Sequence, residues 1–158
     1  MNRQHRFASV SLVAGLLFGL VAGNVSGARA DTPGEHPHYL HALSDLRFAR
    51  AWLTALGENN VMGREMDAVA NIDKAIADIK RASIDDGKDL NDHPPVDARL
   101  KHKGRLHKAL ALLDSARKDL RFDETDKAAR AWRKPAVAHV TDAIKADKQA
   151  ITDVRNDS

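Results

Sequence analysis

The sequence predicts an all-α protein: an antiparallel four-helix bundle built from two similar αα-hairpins. Three observations carry that prediction. Aromatic residues make up only 4% of the chain, Ala, Leu, Asp and Lys are abundant, and no run of β-branched residues appears. Apolar residues recur at three- and four-residue steps in four segments. The order of those segments is also repeated within the chain.

The first segment runs from about Pro37 to Leu56, with Tyr39, Ala42, Leu43, Leu46, Ala49, Leu53 and Leu56 on one stripe. Pro37 suits a first helical turn, where its missing N–H costs nothing, and Gly57 suits the end. The second runs from about Arg64 to Ser83 on Met66, Val69, Ile72, Ile76 and Ile79, with Ala75 and Ala82 beside them. A loop follows over 85–104, where Gly87 and the Pro94-Pro95 pair break helical pattern. The third segment runs from about Leu106 to Leu120 on Leu106, Ala109, Leu110, Leu113, Ala116 and Leu120. The fourth runs from about Thr125 to Val154 on Val137, Val140, Ile144, Ile151 and Val154. Pro135 lies inside it and predicts either a kink or a split.

The repeat pairs these segments. "ALSDLRFARAWL" at 42–53 and "ALALLDSARKDL" at 109–120 share A-L-x-x-L-x-x-A-R-x-x-L, offset by 67 residues. "AVANIDKAIADIKRA" at 68–82 and "AVAHVTDAIKADKQA" at 136–150 share a second pattern, offset by 68. Two hairpins, 37–83 and 105–155, each with an apolar face, bury those faces against each other.

The segment ahead of the hairpins reads differently. A basic start, an apolar run over 7–23 and the small-x-small site Ala28-Arg29-Ala30 predict a secretory signal peptide over 1–30. Cleavage then falls before Asp31, giving a periplasmic bundle of residues 31–158 with no stable membrane anchor. Arg3, Arg6 and Arg29 lie in the leader and no acid does. Of the 25 Lys+Arg and 22 Asp+Glu, the remaining 128 residues therefore hold 22 of each sign. A neutral, mixed surface argues against a general nucleic-acid binder. The chain has no cysteine, which excludes disulfides, covalent c-type haem, thiolate metal sites, a lipoprotein anchor and a Cys nucleophile.

"HPHYLHALSDLRFARAWL", "IDDGKDLNDHPPVDA" and "GRLHKALALLDSAR" resemble segments of exported bacterial helical proteins that carry no established activity. The resemblance covers most of the chain after residue 30. It implies a periplasmic helical bundle and carries over no functional residue.

Several constellations offer chemistry. His38, His41 and Asp45 share one face of the first helix, with His36 and Glu35 just before it. Imidazole and carboxylate at that spacing suit a divalent transition metal such as Zn²⁺, Cu²⁺ or Ni²⁺. The structural alternative is a His41–Asp45 pair at the wet end of a packing seam that continues into Phe48 and Trp52. A second set, His93, His102 and His107, lies in or beside the long loop with Asp89, Asp92 and Asp97. In an up-down bundle this set meets the first at one end. The acids of "DDGKDLND" lack the order of a calcium loop.

Met62, Met66 and His139 are the plausible ligands of a non-covalent haem. Asp147 takes the place of Ile79 in the repeat, a core position, so it predicts a buried carboxylate within reach of Arg50 and Arg117. No G-x-S-x-G, H-E-x-x-H or Gly-rich phosphate loop is present, and Ser44, Ser83 and Ser115 have no evident base. The functional expectation is a small non-enzymatic binding or interaction protein of the periplasm, with an unknown protein or small-molecule partner. A periplasmic metal-binding protein and a haem-binding bundle are the alternatives.

Overall fold

A computed structural model describes residues 36–56, 63–82, 86–122 and 126–156, with Ala128 described by its backbone alone. Residues 1–30, where a signal peptide is expected, and Glu35, Gly57, Met62, Ser83 and Asp85 lie outside the described residues. The described residues form four helices: α1 (Pro37–Leu53), α2 (Arg64–Arg81), α3 (His102–Asp119) and α4 (Lys127–Asn156). Among the described residues no helix is long and apolar enough to cross a membrane.

Local chemistry sets the helix ends. α1 opens with Pro37 at its first turn and stops at Leu53, short of the expected Leu56. There the N–H and hydroxyl of Thr54 both donate to the Arg50 carbonyl, each at 3.0 Å. Leu56 consequently falls beyond the helix and is 53% exposed rather than in the core. α2 begins after Gly63, whose φ of 54° favours glycine. Glu65 and Asp67 lie in its first turn and Lys80 and Arg81 in its last, complementing the helix dipole.

α3 starts four residues earlier than its apolar stripe, at His102. The Lys101 carbonyl accepts from the N–H groups of Gly104 and Arg105 at 2.8 and 3.1 Å. Gly104 does not end the loop but seats the Leu100 side chain, whose Cγ would lie 3.0 Å from a Cβ there. α4 runs unbroken through Pro135. The carbonyl that Pro135 leaves without an intrahelical donor belongs to Ala131, which is exposed and open to water.

Side-chain contacts fix the directions. His38 at the start of α1 meets Asp119 and Phe122 at the end of α3. Tyr39 donates to the carbonyl of Ala129 at the start of α4, at 3.5 Å. Arg81 at the end of α2 lies 5.5 Å over the Trp132 ring of α4. At the other end, Glu65 of α2 meets His102 of α3. Taking α1 as up, the order is therefore up, down, down, up. Each helix packs against two neighbours, α1 against α2 and α3, α4 against α2 and α3. All four neighbouring pairs are antiparallel.

This topology corrects the expectation that the two histidine sets meet at one end. α2 and α3 run the same way, so the chain between them must return along the length of the bundle. The start of α3, with His102 and His107, lies opposite the start of α1, with His36, His38 and His41.

The two hairpins are related by an approximate two-fold axis perpendicular to the helices. It exchanges α1 with α3 and α2 with α4, and these two equivalent pairs make the most extensive helix contacts. Leu46 and its repeat partner Leu113, and Ile72 and its partner Val140, are all fully buried. So are alanines at repeated positions: Ala42 and Ala109, Ala49 and Ala116, Ala68 and Ala136, Ala75 and Ala143. Small side chains there allow the paired helices to approach closely.

The returning segment, residues 86–101, is pinned by Arg47. This side chain is 1% exposed. Its guanidinium grips the Asp86 carboxylate through two nitrogens and donates from Nε to the Asp92 carbonyl at 3.3 Å. Burial alone pushes the Asp86 carboxyl up, but the Arg47 hydrogen bonds and charge outweigh it and hold it below the ordinary range. His93 stacks on Phe48 at 6.4 Å, and Lys80 donates to the Lys88 carbonyl at 3.2 Å.

Two outcomes test this packing. Leu46→Ala should cost about 2 to 5 kcal/mol through a cavity, and Ala75→Leu about 1 to 3 kcal/mol through overpacking. Urea unfolding against the exposed control Lys74→Ala measures both. Arg47→Ala should cost about 3 to 5 kcal/mol and speed amide exchange across residues 86–97 selectively. Unchanged exchange in that segment would remove Arg47 as its anchor.

Candidate functional site

The histidine set at the start of α1 is dispersed among other partners. His36 occupies the N-cap with φ 56°, and its ring meets the edge of Tyr39 at 6.3 Å. His38 points its Nδ1 at Asp119, 3.4 Å away, and stacks on Phe122 with ring centroids 4.0 Å apart. His41 is exposed. Asp45 turns to Ser115 of α3; its carboxyl is raised, first by burial and then by Asp119, against the lowering influence of Ser115 and His41. Phe48 and Trp52 continue the seam, 5.9 Å apart.

The second set is spread further. His93 lies midway along α1, with Nδ1 2.8 Å from the Pro94 carbonyl. His107 is exposed on α3, and His102 is bonded to Glu65. Among the described residues, no three His, Asp or Glu groups gather closely enough to hold a metal ion.

The haem ligand set does not assemble. Met66 is 57% exposed rather than on the core stripe. His139 faces Asp78, with Nε2 3.5 Å from Oδ2, near the other end of α2. His139 is level with Asp78, so it stands about twelve residues along α2 from Met66, roughly 18 Å.

Asp147 is fully buried on α4, and neither of its oxygens has a hydrogen-bond partner among the described residues. The two arginines expected to reach it are engaged elsewhere. Arg50 donates to Asp73 at 2.9 Å and Arg117 to Asp114 at 2.7 Å. The charged group that Asp147 senses is Glu65, itself bonded to His102. Burial first, and the Glu65 charge second, push the Asp147 carboxyl up to about 7. A second buried acid, Asp78, accepts from Arg81 at 3.2 Å beside His139. Ser115, expected to have no base, is hydrogen-bonded to the Asp45 carboxylate instead.

The feature that sequence reasoning missed is a grooved surface formed by three adjoining concavities on α3 and α4. One concavity, on α3 and the turn after it, shares Arg117 with a second along α4 and Arg121 with a third between the end of α3 and the start of α4. They are lined by the cations Arg117, Lys118, Arg121, Arg133, Lys134, Lys145 and Lys148, over an apolar floor of Leu120, Phe122, Val137 and Ile144. Among the described lining residues the one acid is Asp114. From Lys134 to Thr152 the groove follows α4 for about 27 Å.

The signal was present in the repeat. Transferred by the offsets of 67 and 68, the seven cations correspond to Arg50, Ala51, Thr54, Glu65, Met66, Ala77 and Lys80 of the first hairpin. Five positions that are neutral or acidic in one half are basic in the other. Asp73, the partner of Arg50, corresponds to Thr141, which lines the groove without a charge to offer. Net neutrality of residues 31–158 hides this segregation. Comparisons with protein families, with curated proteins and with solved structures find no match.

Asp147 generates a pH prediction. Its carboxyl keeps its proton to about 7 in the folded chain and loses it near 3.8 when unfolded. The folded state thus holds the extra proton between those values. The stabilising contribution is complete below the unfolded value and lost as pH rises through 7. Between pH 5 and 8 it should fall by about 3 kcal/mol. Asp147→Asn should flatten that difference, read by urea unfolding of both proteins at each pH. Asp86 has the opposite sign but acts below its ordinary value, outside this window. Identical pH profiles would mean that Asp147 is solvated or paired.

Proposed function

We propose that this chain is a non-enzymatic binding protein of the bacterial periplasm that engages its partner through the α3–α4 face. The single observation that carries this reading is the cationic, apolar-floored groove on a bundle whose charges balance only when the groove is counted. A rigid pair of antiparallel helices offers such a groove without any moving part, and binding needs no catalytic group. The leader pattern over residues 1–30 and the resemblance to exported helical proteins support the periplasmic placement. No particular contact favours the metal or haem alternative: His38 is directed at Asp119 and His139 at Asp78.

A photo-reactive side chain at Lys145 in the groove should give discrete adducts in intact periplasm, whereas one at exposed Lys74 on α2 should not. Equal labelling from both positions, or none from either, would contradict the reading.

A further inference from the structure

The two halves of the bundle are equivalent in helices but not in what lies on them. On the first hairpin, the returning segment sits against Arg47 and Phe48 of α1 and touches Lys80 of α2. The repeat carries these three positions to Asp114, Ser115 and Lys148. Asp114 and Lys148 line the α3–α4 groove. The groove is therefore the two-fold counterpart of the bed on which the returning segment lies.

That segment is itself a sample of what such a bed holds. It is non-helical, and over 86–97 it is acidic, with Asp86, Asp89, Asp92 and Asp97 against Lys88 alone. It is held by a carboxylate on a guanidinium and by two main-chain carbonyls on Arg47 and Lys80. The chain has one returning segment, and Arg47 already fixes it to the first hairpin, so it is not available to a second copy. The counterpart bed is more basic than the first.

We propose, building on the reading of the α3–α4 face as the binding face, that its ligand is an acidic, extended polypeptide segment of a partner protein. The segment lies along the groove as residues 86–97 lie along α1. Carboxylates meet Arg121, Lys145 and Lys148, and interspersed apolar side chains reach the floor at Phe122 and Ile144. An extended strand of about eight to ten residues spans the groove's length. Charge complementarity of this kind steers encounter and sets specificity, and it weakens as salt is added.

The test uses the chain from residue 31 onward and a synthetic peptide of about ten residues, alternating Asp or Glu with Val or Leu. Fluorescence anisotropy should show saturable binding that weakens with added salt. Arg121→Glu with Lys145→Glu, both at exposed positions, should weaken it by roughly tenfold or more. The surface control Lys74→Glu should leave it unchanged, and circular dichroism should find all three proteins equally helical. Equal binding by the groove variant, or no binding at all, would overturn the proposal. So would groove-dependent binding to phosphatidylglycerol vesicles with none to the peptide, which would identify a membrane surface instead. If Lys145 gives adducts in periplasm while the peptide does not bind, the acidic segment is wrong and the binding face stands. If both fail, both fall.

Discussion

Arg47 is an arginine in the interior of a small bundle, and the arrangement of the chain depends on its grip. Taking a guanidinium out of water costs several kcal/mol unless its donors are satisfied. Asp86 and the Asp92 carbonyl satisfy them, and both belong to the segment that joins the two hairpins. That segment has to travel the length of the bundle, because α2 and α3 point the same way. Without an anchor it is a long loop with a few half-buried apolar groups, Val96 and Leu100, to hold it down. With the anchor it becomes a fifth layer over α1, and the second hairpin is delivered in the orientation that pairs α1 with α3 and α2 with α4.

The approximate two-fold axis follows from that delivery, and so does the asymmetry that matters for function. Equivalent helices pack across the axis through repeated Ala and Leu positions, which is why the repeat is most faithful there. Away from the axis the halves have diverged. The first hairpin is covered by its own acidic segment, with Arg50 and Lys80 occupied. The second carries additional cations where the first has Ala51, Thr54 and Ala77, and it presents them along an open groove. Asp147 is another departure from symmetry: a carboxylic acid in the place of Ile79, its pKa pushed up to about 7 by burial and then by Glu65.

The helices were legible in the sequence because burial imposes a period. Leu46, Ile72, Leu113 and Val140 fall on their stripes, and the burial of Asp147 follows from its alignment with Ile79. What failed did so for non-local reasons. Met66 has the spacing of the apolar stripe of α2, but the buried face there runs through Glu65, Ala68 and Ile72, and Met66 turns outward beside it. Leu56 continues a periodicity that the Thr54 bonds to Arg50 cut short. Arg47 is hidden by a loop forty residues downstream, which helical spacing cannot report. The direction of α3 was ambiguous because a loop of this length can either turn back or cross over. The groove was written in the repeat offsets, but only a comparison of charge between paired positions reveals it, and net charge obscures it.

The topology is the claim on which the two-fold axis, the covered first hairpin and the open groove all rest. It can be measured directly, since the chain contains no native cysteine to compete for a label. Spin labels at His41→Cys with Lys118→Cys, and at His41→Cys with Lys103→Cys, report the direction of α3 relative to α1 by pulsed electron resonance. The crossover arrangement places position 41 near 118 and separates it from 103 by about the length of α3, some 25 Å. A short distance for 41–103 with a long one for 41–118 would mean that α3 runs parallel to α1, and the account would fall with it.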